Sequence, residues 1–115
     1  MRVPEEGQLL RIFIGESERY EGRALYEWIV IKAKEEGLAG ATVLRGKMGF
    51  GANSRIHTSK ILRLSEDLPI VIEIVDTEEK LKSFLTRING AIKEGLATIE
   101  KAHILFYRGG RETKP

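Results

Sequence analysis

Four short apolar runs, rich in β-branched and aromatic residues, are spaced along the chain and bounded by glycine, proline or charged residues. Runs of this length and composition are typical of strands that are at least partly buried. The clearest run alternates Ile70, Ile72 and Ile74 with other residues, which is the period of two that a strand requires. The pattern predicts strands at residues 9–14, 41–44, 69–75 and 102–107.

Between these runs the apolar period lengthens to that of an amphipathic helix. One such segment covers about residues 20–36, and Gly37 follows it as a C-terminal cap. The other starts after Asp76, which we predict as the N-cap with Glu79 three residues later, and ends near residues 90–95. The apolar positions are Leu25, Trp28, Ile29 and Ala33 in the first helix and Leu81, Phe84, Leu85, Ile88 and Ile92 in the second.

The order of the predicted elements is strand, helix, strand, strand, helix, strand. Two right-handed strand–helix–strand units with an antiparallel centre give the ferredoxin-like α+β sandwich. The sequence therefore predicts a four-stranded antiparallel sheet with two helices on one face and a long loop between the second and third strands. We expect one domain over residues 1–115, with its core at about 8–107 and a polar tail at 108–115.

The sheet face that the helices leave open is also predicted to be apolar. Leu9 and Phe13 point to one face and Leu10, Ile12 and Ile14 to the other, Val71 and Val75 oppose Ile70, Ile72 and Ile74, and the last run is apolar on both sides, so both faces are predicted to be apolar. An antiparallel sheet covered on one side only would normally show polar residues on the other. Because an exposed apolar patch of this size usually marks an interface, we expect a homo-oligomer built through the open sheet face.

Charge is concentrated in one segment. The formal net charge of the chain is only +2, but residues 37–65 contain no Asp or Glu. The segment carries five cations, Arg45, Lys47, Arg55, Lys60 and Arg63, so the formal charges of the remaining residues sum to −3. This segregation favours an anionic partner such as a phosphate-bearing molecule, and a solvated basic loop is the alternative.

The same segment contains the predicted long loop, residues 46–59. Irregular loops longer than about 12 residues are uncommon unless they are functional or mobile. Gly46, Gly49 and Gly51 permit positive φ and a close approach of the backbone to a ligand, so their amides could bind an anion. The alternative is that these glycines only shape a flexible turn.

Several classes of function are excluded or disfavoured by composition. The chain has no Cys, which excludes disulfides, thiolate metal sites and cysteine nucleophiles, and its two His residues show no metal-ligand spacing. No nucleophile and base stand in a hydrolase context, so we predict no catalytic residues and no required cofactor. Without an apolar signal core or a membrane-spanning run, the expected location is the cytoplasm.

Two alternatives stay open beside a binding or regulatory role. A ferredoxin-like domain that binds nucleic acid would need aromatic residues on the open sheet face, where aliphatic residues dominate. An enzyme of unknown reaction could use Glu66 and Asp67 as paired carboxylates, although these residues also suit a turn before a strand.

The chain resembles the small PII-like proteins, which are related to the PII nitrogen signalling proteins, over roughly residues 8–107. The resemblance rests on Gly-Ala-Thr-Val-Leu-Arg-Gly at 40–46, Gly-Phe-Gly at 49–51 and Leu-Pro-Ile-Val-Ile-Glu-Ile-Val at 68–75. Within that superfamily the chain is most similar to an uncharacterised branch with Gly-Phe-Gly-Ala, Arg-Ile-His-Thr and Leu-Ser-Glu-Asp-Leu-Pro, present in this sequence at 49–52, 55–58 and 64–69.

The resemblance implies a ferredoxin-like trimer that binds an adenine nucleotide in the cleft between subunits. The loop at 46–59 would be a T-loop, a segment that moves on ligand binding and docks onto enzymes or membrane transporters. Unlike PII, the chain has no glycine- and lysine-rich phosphate loop before the last strand, so Lys101 is the candidate cation there, with Arg108 after the strand. The ligand-binding candidates are Gly46, Lys47, Gly49, Phe50, Gly51, Asn53, Arg55, His57, Lys101 and Arg108.

Four aromatic or imidazole side chains have alternative interpretations. Phe50 is either a buried anchor for the loop, which we favour, or a surface for a purine ring. His57 either donates to phosphate or is an exposed loop residue. His103 is expected to pack in the last strand or at an interface, and Trp28 is expected to belong to the core.

Overall fold

The computed structural model describes residues 6–51 and 67–109, together with the backbone of residues 57–58. In chain order, the elements of the fold are β1 (Glu6–Gly15), β2 (Arg19–Tyr20), β3 (Arg23–Ala24), α1 (Leu25–Glu35), β4 (Thr42–Arg45), β5 (Met48–Gly49), β6 (His57–Thr58), β7 (Pro69–Asp76), α2 (Glu78–Ile88) and β8 (Leu96–His103).

Four of the strands form one sheet in the order β4-β7-β1-β8. Every neighbouring pair in it is antiparallel, with Arg11 of β1 opposite Glu73 of β7 and Thr98 of β8. This order is that of the ferredoxin-like fold, in which each helix crosses over between strands that are not adjacent. The predicted fold class is therefore confirmed.

The hydrophobic core lies between the helix-covered face of the sheet and the two helices. Alternate residues of the two central strands are buried there, which confirms the predicted period of two. Each helix contributes one apolar stripe at helical spacing. The principal core residues are Leu10, Ile12, Ile14, Ile70, Ile72 and Ile74 from the sheet and Leu25, Ile29, Ala33, Leu81, Phe84 and Ile88 from the helices.

The first helix starts later than the sequence pattern predicts. Instead of helix from residue 20, the chain forms the small hairpin β2–β3, whose two turn residues, Glu21 and Gly22, have φ values of 51° and 83°. Two consecutive positive φ values are the geometry of a tight type I′ hairpin, which Gly22 makes accessible. The predicted end was correct, because Gly37 follows α1 with a φ of 77° and donates to the carbonyl of Lys34 at 3.1 Å.

The N-cap of the second helix is Thr77 and not Asp76. The Thr77 hydroxyl accepts a hydrogen bond from the backbone N–H of Lys80 at 3.2 Å. The Asp76 carboxylate is buried and accepts from the N–H of Thr77 at 2.7 Å and from that of Ala39 at 2.9 Å. Asp76 therefore ties the end of β7 to the connection between α1 and β4.

The last strand was predicted in the wrong place. It spans Leu96–His103 rather than 102–107, and its register on β1 is set by pairs such as Ile99 with Leu10. The apolar residues that suggested the later strand form a segment beyond it, in which Leu105 and Phe106 are 83% and 71% exposed. Pairing with β1, a contact distant in sequence, overrides the local apolar pattern at this point.

We expect Gly95→Ala to lower the free energy of unfolding by about 1–3 kcal/mol, which is the usual cost of forcing extra atoms into a packed site. A Cβ atom at Gly95 would lie 2.7 Å from the carbonyl oxygen of Phe13 and 3.1 Å from Cγ2 of Ile14. Gly90 is the matched control, because a Cβ there meets nothing within 4 Å. Equal urea midpoints for the two alanine variants would contradict this account of the start of β8.

Candidate functional site

The long loop leaves the sheet as a two-stranded stem. Beyond the β4–β7 ladder, the N–H of Gly46 donates to the carbonyl of Pro69 at 2.8 Å. Met48 then pairs with Thr58, and Gly49 pairs with His57, so that β5 and β6 close the base of the loop. The loop base is therefore ordered by backbone hydrogen bonds on both of its strands.

Gly46 and Gly49 pack against the ring of Pro69. A Cβ atom at these two positions would lie 2.8 Å and 3.0 Å from Cγ of Pro69, and neither glycine has a positive φ. Their small size allows the stem to lie flat on the proline, which is a packing role that the sequence analysis did not assign. A pair of glycines after one strand, together with a proline at the start of the strand that pairs with it, is the sequence signal that could have suggested this packing.

The structure describes only some of the other residues predicted for the loop site. Lys47 and Gly51 are exposed, and Phe50 is 71% exposed, so Phe50 is not a buried anchor within its own chain. Asn53 and Arg55 lie outside the described residues, as does the side chain of His57. Of its described side chains, the loop base thus presents Lys47 and Phe50 to solvent.

The turn after β1 holds the chain before the long loop and the chain just before β7. Nη1 of Arg45, at the end of β4, donates to the carboxylate of Glu16 at 2.8 Å. Asp67 lies two residues before β7, and its Oδ1 accepts from the N–H of Ser17 at 2.8 Å. Arg45 is therefore neutralised by Glu16, a partner that the charge pattern could not identify because it is distant in sequence.

Glu18 lies in an acidic environment next to this turn. Burial raises the pKa of Glu18 above its ordinary value, and the nearby carboxylates of Asp67 and Glu94 raise it further, while Lys93 opposes them. The protonated form of Glu18 is therefore favoured in the folded protein relative to the unfolded chain.

We expect Glu18→Gln to raise the free energy of unfolding at pH 7, because it removes a charge that the folded state disfavours. The gain should shrink as the pH falls through the raised pKa of Glu18 and vanish below the pKa of the unfolded chain, where both states carry the proton. Chemical denaturation across this pH range measures it, with Glu21→Gln in the exposed hairpin turn as the control. A gain that did not depend on pH would contradict the electrostatic cause.

Lys101 and Arg108 lie far from the loop base within one chain. Lys101 pairs with Gln8, whereas the loop base begins opposite Pro69, which pairs with Gly15. The seven residues from position 8 to position 15 of β1 correspond to about 23 Å along the strands. One chain therefore does not bring these two cations to the loop base.

The segment after β8, residues 104–109, crosses the end of the sheet. Ile104 packs over Gly7, where a Cβ atom would lie 2.8 Å from Cδ1 of Ile104. The Tyr107 hydroxyl donates to the carbonyl of Ala39 at 2.6 Å, and Arg108 stacks on the ring of Phe106 at 4.2 Å. An apolar cavity of about 370 Å³ lies between this C-terminal strap and Val75.

The open face of the sheet is mixed rather than uniformly apolar. Two rows of apolar side chains, one through Phe13 and Val71 and one through Leu9 and Val75, are separated by a polar row. In that row Nε of Arg11 donates to Glu73 at 2.9 Å, which raises the pKa of Arg11, and Nη1 lies 3.5 Å from Glu100. The expectation that the whole face is apolar was wrong in this central row.

Trp28 lies against the core as expected, whereas His103 is exposed and does not show the packing expected for it within one chain. Trp28 packs against the core and makes an edge contact with Tyr20, with the ring centroids 4.6 Å apart. His103 is at the end of the edge strand β8, where it is exposed and borders the cavity under the C-terminal strap.

Within the described residues, no three side chains of the metal-binding types lie close enough together to hold an ion. Neither of the helices in the described part of the chain has the length and apolar character needed to cross a bilayer.

Sequence comparison matches residues 7–104 to the model of the DUF190 family, described as Uncharacterized ACR, COG1993. A UPF0166 protein of Aquifex aeolicus (strain VF5) is 43% identical over 106 residues, which is 92% of this chain and 99% of the relative. A UPF0166 protein of Methanocaldococcus jannaschii is 36% identical over 105 residues, or 90% of this chain and 94% of the relative.

Two solved structures with a similar fold are those of PII-like proteins. CPII, a nitrogen regulatory PII-like protein from Thiomonas intermedia K12 bound to ADP, AMP and bicarbonate, matches with a TM-score of 0.64 and 15% identity, covering 84% of this chain and 86% of that one. A candidate PII-like signaling protein from Thermus thermophilus matches with a TM-score of 0.58 and 21% identity, covering 84% and 87%. At these identities the comparison establishes a PII-like fold.

Proposed function

The chain belongs to the DUF190 family, and from that premise and its PII-like fold we propose that it is a non-enzymatic regulatory protein of the cytoplasm that binds an anionic ligand between copies of itself. An adenine nucleotide is the ligand class that we put forward first. The structure of CPII, which has the same fold, contains ADP and AMP, and this supports the choice.

The observation that carries the proposal is the loop base. A stem fixed on Pro69 presents Lys47 and Phe50 to solvent at the end of the edge strand β4. An exposed ammonium group suits a phosphate, and an exposed aromatic ring suits the face of a purine. Both groups project from the edge of the sheet, so a second copy is needed to enclose a ligand there.

The proposed assembly is a homotrimer formed through the open sheet face. The two apolar rows on that face, through Phe13 and Val71 and through Leu9 and Val75, are only half-buried in one chain. Covering them with other copies removes apolar surface from water, and Arg11 and Glu73 enter the interface already paired. Lys101 and Arg108 would then contribute to the same ligand only from a different copy.

The proposed regulation uses the loop at residues 46–59, of which the stem is described. Ligand binding at the stem would restrict the loop and thereby change its affinity for a protein partner, such as an enzyme or a membrane transporter. Because Arg45 before the loop and Asp67 before β7 are both held by the turn after β1, the restriction would be confined to the residues between them.

A thermal-shift panel of ATP, ADP, AMP and adenosine, with native mass measured in parallel, tests this proposal. A ligand that prefers the folded protein stabilises it by about 2.7 kcal/mol at a concentration of one hundred times its Kd. We expect a phosphate-bearing nucleotide to raise the Tm, Lys47→Ala to weaken that shift and Lys34→Ala, an exposed lysine on α1, to leave it unchanged. No shift with any nucleotide, or equal shifts in both variants, would overturn the proposed ligand site.

A further inference from the structure

Arg45, the last residue of β4, uses only part of its hydrogen-bonding capacity. Its Nη1 donates to the carboxylate of Glu16 at 2.8 Å, and within the described part of the chain its Nε and Nη2 donate to no acceptor. By comparison, Arg11 on the open sheet face uses both Nε, with Glu73, and Nη1, with Glu100. Because a guanidinium carries five N–H donors in one plane and the Arg45 side chain is 58% exposed, Arg45 can bind a second anion.

The backbone of Glu16 is fixed independently of Arg45. The N–H of Glu16 donates to the carbonyl of Leu68 at 2.8 Å, and the N–H of the next residue, Ser17, donates to Asp67 at 2.8 Å. The Glu16 side chain is 27% exposed, less than half the exposure of the Arg45 side chain. When the pair separates, Glu16 therefore stays at the turn, and the longer and more exposed side chain of Arg45 is the one that moves.

Lys47 brings a second cation next to Arg45. The two residues are separated by Gly46 alone, so their Cα atoms are at most about 7 Å apart. Both side chains are exposed, and both are long enough to reach one anion from this separation. Because residues 37–65 contain no Asp or Glu, the carboxylate that competes for Arg45 comes from the turn after β1. A phosphate that binds Lys47, as proposed above, is therefore within reach of Arg45.

We propose that Arg45 is a second phosphate-binding residue of this site, and that Glu16 competes with the ligand for it. The inference rests on the proposed function, because it concerns the same ligand. An exposed ion pair contributes little to stability, whereas an Arg–phosphate contact is charge-assisted and frequently bidentate. A phosphate group at Lys47 therefore draws the Arg45 side chain away from Glu16.

The exchange of partners requires no change in the sheet. The backbone of Arg45 is paired with Ile70 of β7, and the N–H of Gly46 stays bonded to the carbonyl of Pro69. Only the side chain of Arg45 moves, so the loop base keeps its position on β7 when the ligand binds. Glu16 then acts as a built-in competitor that lowers the affinity of the site for phosphate-bearing ligands.

Calorimetric titration of ADP into Glu16→Gln, Arg45→Ala and the double variant tests the competition. We expect Glu16→Gln to bind ADP about two- to fivefold more tightly than the natural protein, which is the affinity ratio that corresponds to an exposed ion pair. Arg45→Ala should bind ADP more weakly, and adding Glu16→Gln to it should change the affinity no further. Glu27→Gln, which removes an exposed carboxylate from the first turn of α1, is the control and should behave like the natural protein.

An unchanged or weaker affinity of Glu16→Gln for ADP would overturn the proposal. A gain of the same size in the Arg45→Ala background would also overturn it, because the effect would then not depend on Arg45. Circular dichroism confirms that each variant is folded, and pyrophosphate serves as a second probe. If ADP binds but Glu16→Gln brings no gain, only the competition is wrong, whereas no binding of ADP or pyrophosphate to the natural protein contradicts the proposed ligand site as well.

Discussion

Replacing Asp76 with alanine is expected to lower the free energy of unfolding by about 2–4 kcal/mol, since it removes the acceptor of two backbone N–H groups at a site with 1% exposure. The N–H of Ala39 loses its acceptor in this variant. Ala39 would then be held less firmly, and its carbonyl is the acceptor of the hydrogen bond from the Tyr107 hydroxyl in the C-terminal strap. We therefore expect the C-terminal strap to become more sensitive to proteolysis in the same variant. Urea denaturation and limited proteolysis measure the two effects.

Thr77→Ala is the matched control for Asp76→Ala. It removes the neighbouring cap of α2, a single hydrogen bond to the N–H of Lys80, and should cost about 1 kcal/mol without exposing the strap. If the two variants were equally stable, or if the strap of Asp76→Ala resisted protease as well as the natural chain does, the role of Asp76 in holding Ala39 would be wrong.

The largest effect on assembly is expected from Val71→Lys. Val71 lies on the open face in a central strand, between Phe13 and Leu44, where the proposed interface covers it. Because a buried ammonium group without a partner is far more costly than the lost burial of one valine, we expect the assembly to dissociate into chains of 13.0 kDa. Light scattering coupled to size exclusion measures the mass.

Thr86→Lys adds the same charge on the exposed side of α2 and should leave the mass unchanged. Circular dichroism of both variants confirms that the chain is still folded. A folded Val71→Lys protein with the mass of the natural assembly would show that the open face is not the interface.

The centre of the fold could be predicted from the sequence because its signals are local. Ile70, Ile72 and Ile74 alternate in a strand with one face in the core, and Leu81, Phe84 and Ile88 repeat at helical spacing, as the structure confirms. Each pattern is visible within a few consecutive residues, so the strand or helix can be predicted without knowing which distant residues it contacts.

The edges of the fold could not be predicted in the same way. The position of β8 depends on its pairing with β1, some ninety residues earlier in the chain, and on the close contact that Gly95 permits with Phe13. The apolar residues Leu105 and Phe106 suggested a strand that does not form, because they belong to the exposed C-terminal strap. The hairpin before α1 was missed because its two-residue strands are too short to show a period.

The sequence predicted the long loop between the second and third strands of the sheet, where its stem lies, but not the contacts that build the stem. Glycines in a basic loop suggested an anion-binding backbone, whereas Gly46 and Gly49 are needed for packing on Pro69. Partners such as Glu16 for Arg45 come from another turn of the chain. Contacts of this kind depend on tertiary structure and leave no periodic signal in the sequence.

Isothermal titration calorimetry of ADP into the natural protein and into the Val71→Lys protein tests the central claim most directly, namely that an anionic ligand binds between copies. The account predicts saturable binding with about one site per chain in the assembly, since a symmetric ring has one junction per copy, and a loss of at least tenfold in affinity when the copies separate. Equal affinity for both proteins would place the site within one chain, and the absence of heat from the natural assembly would contradict nucleotide binding itself.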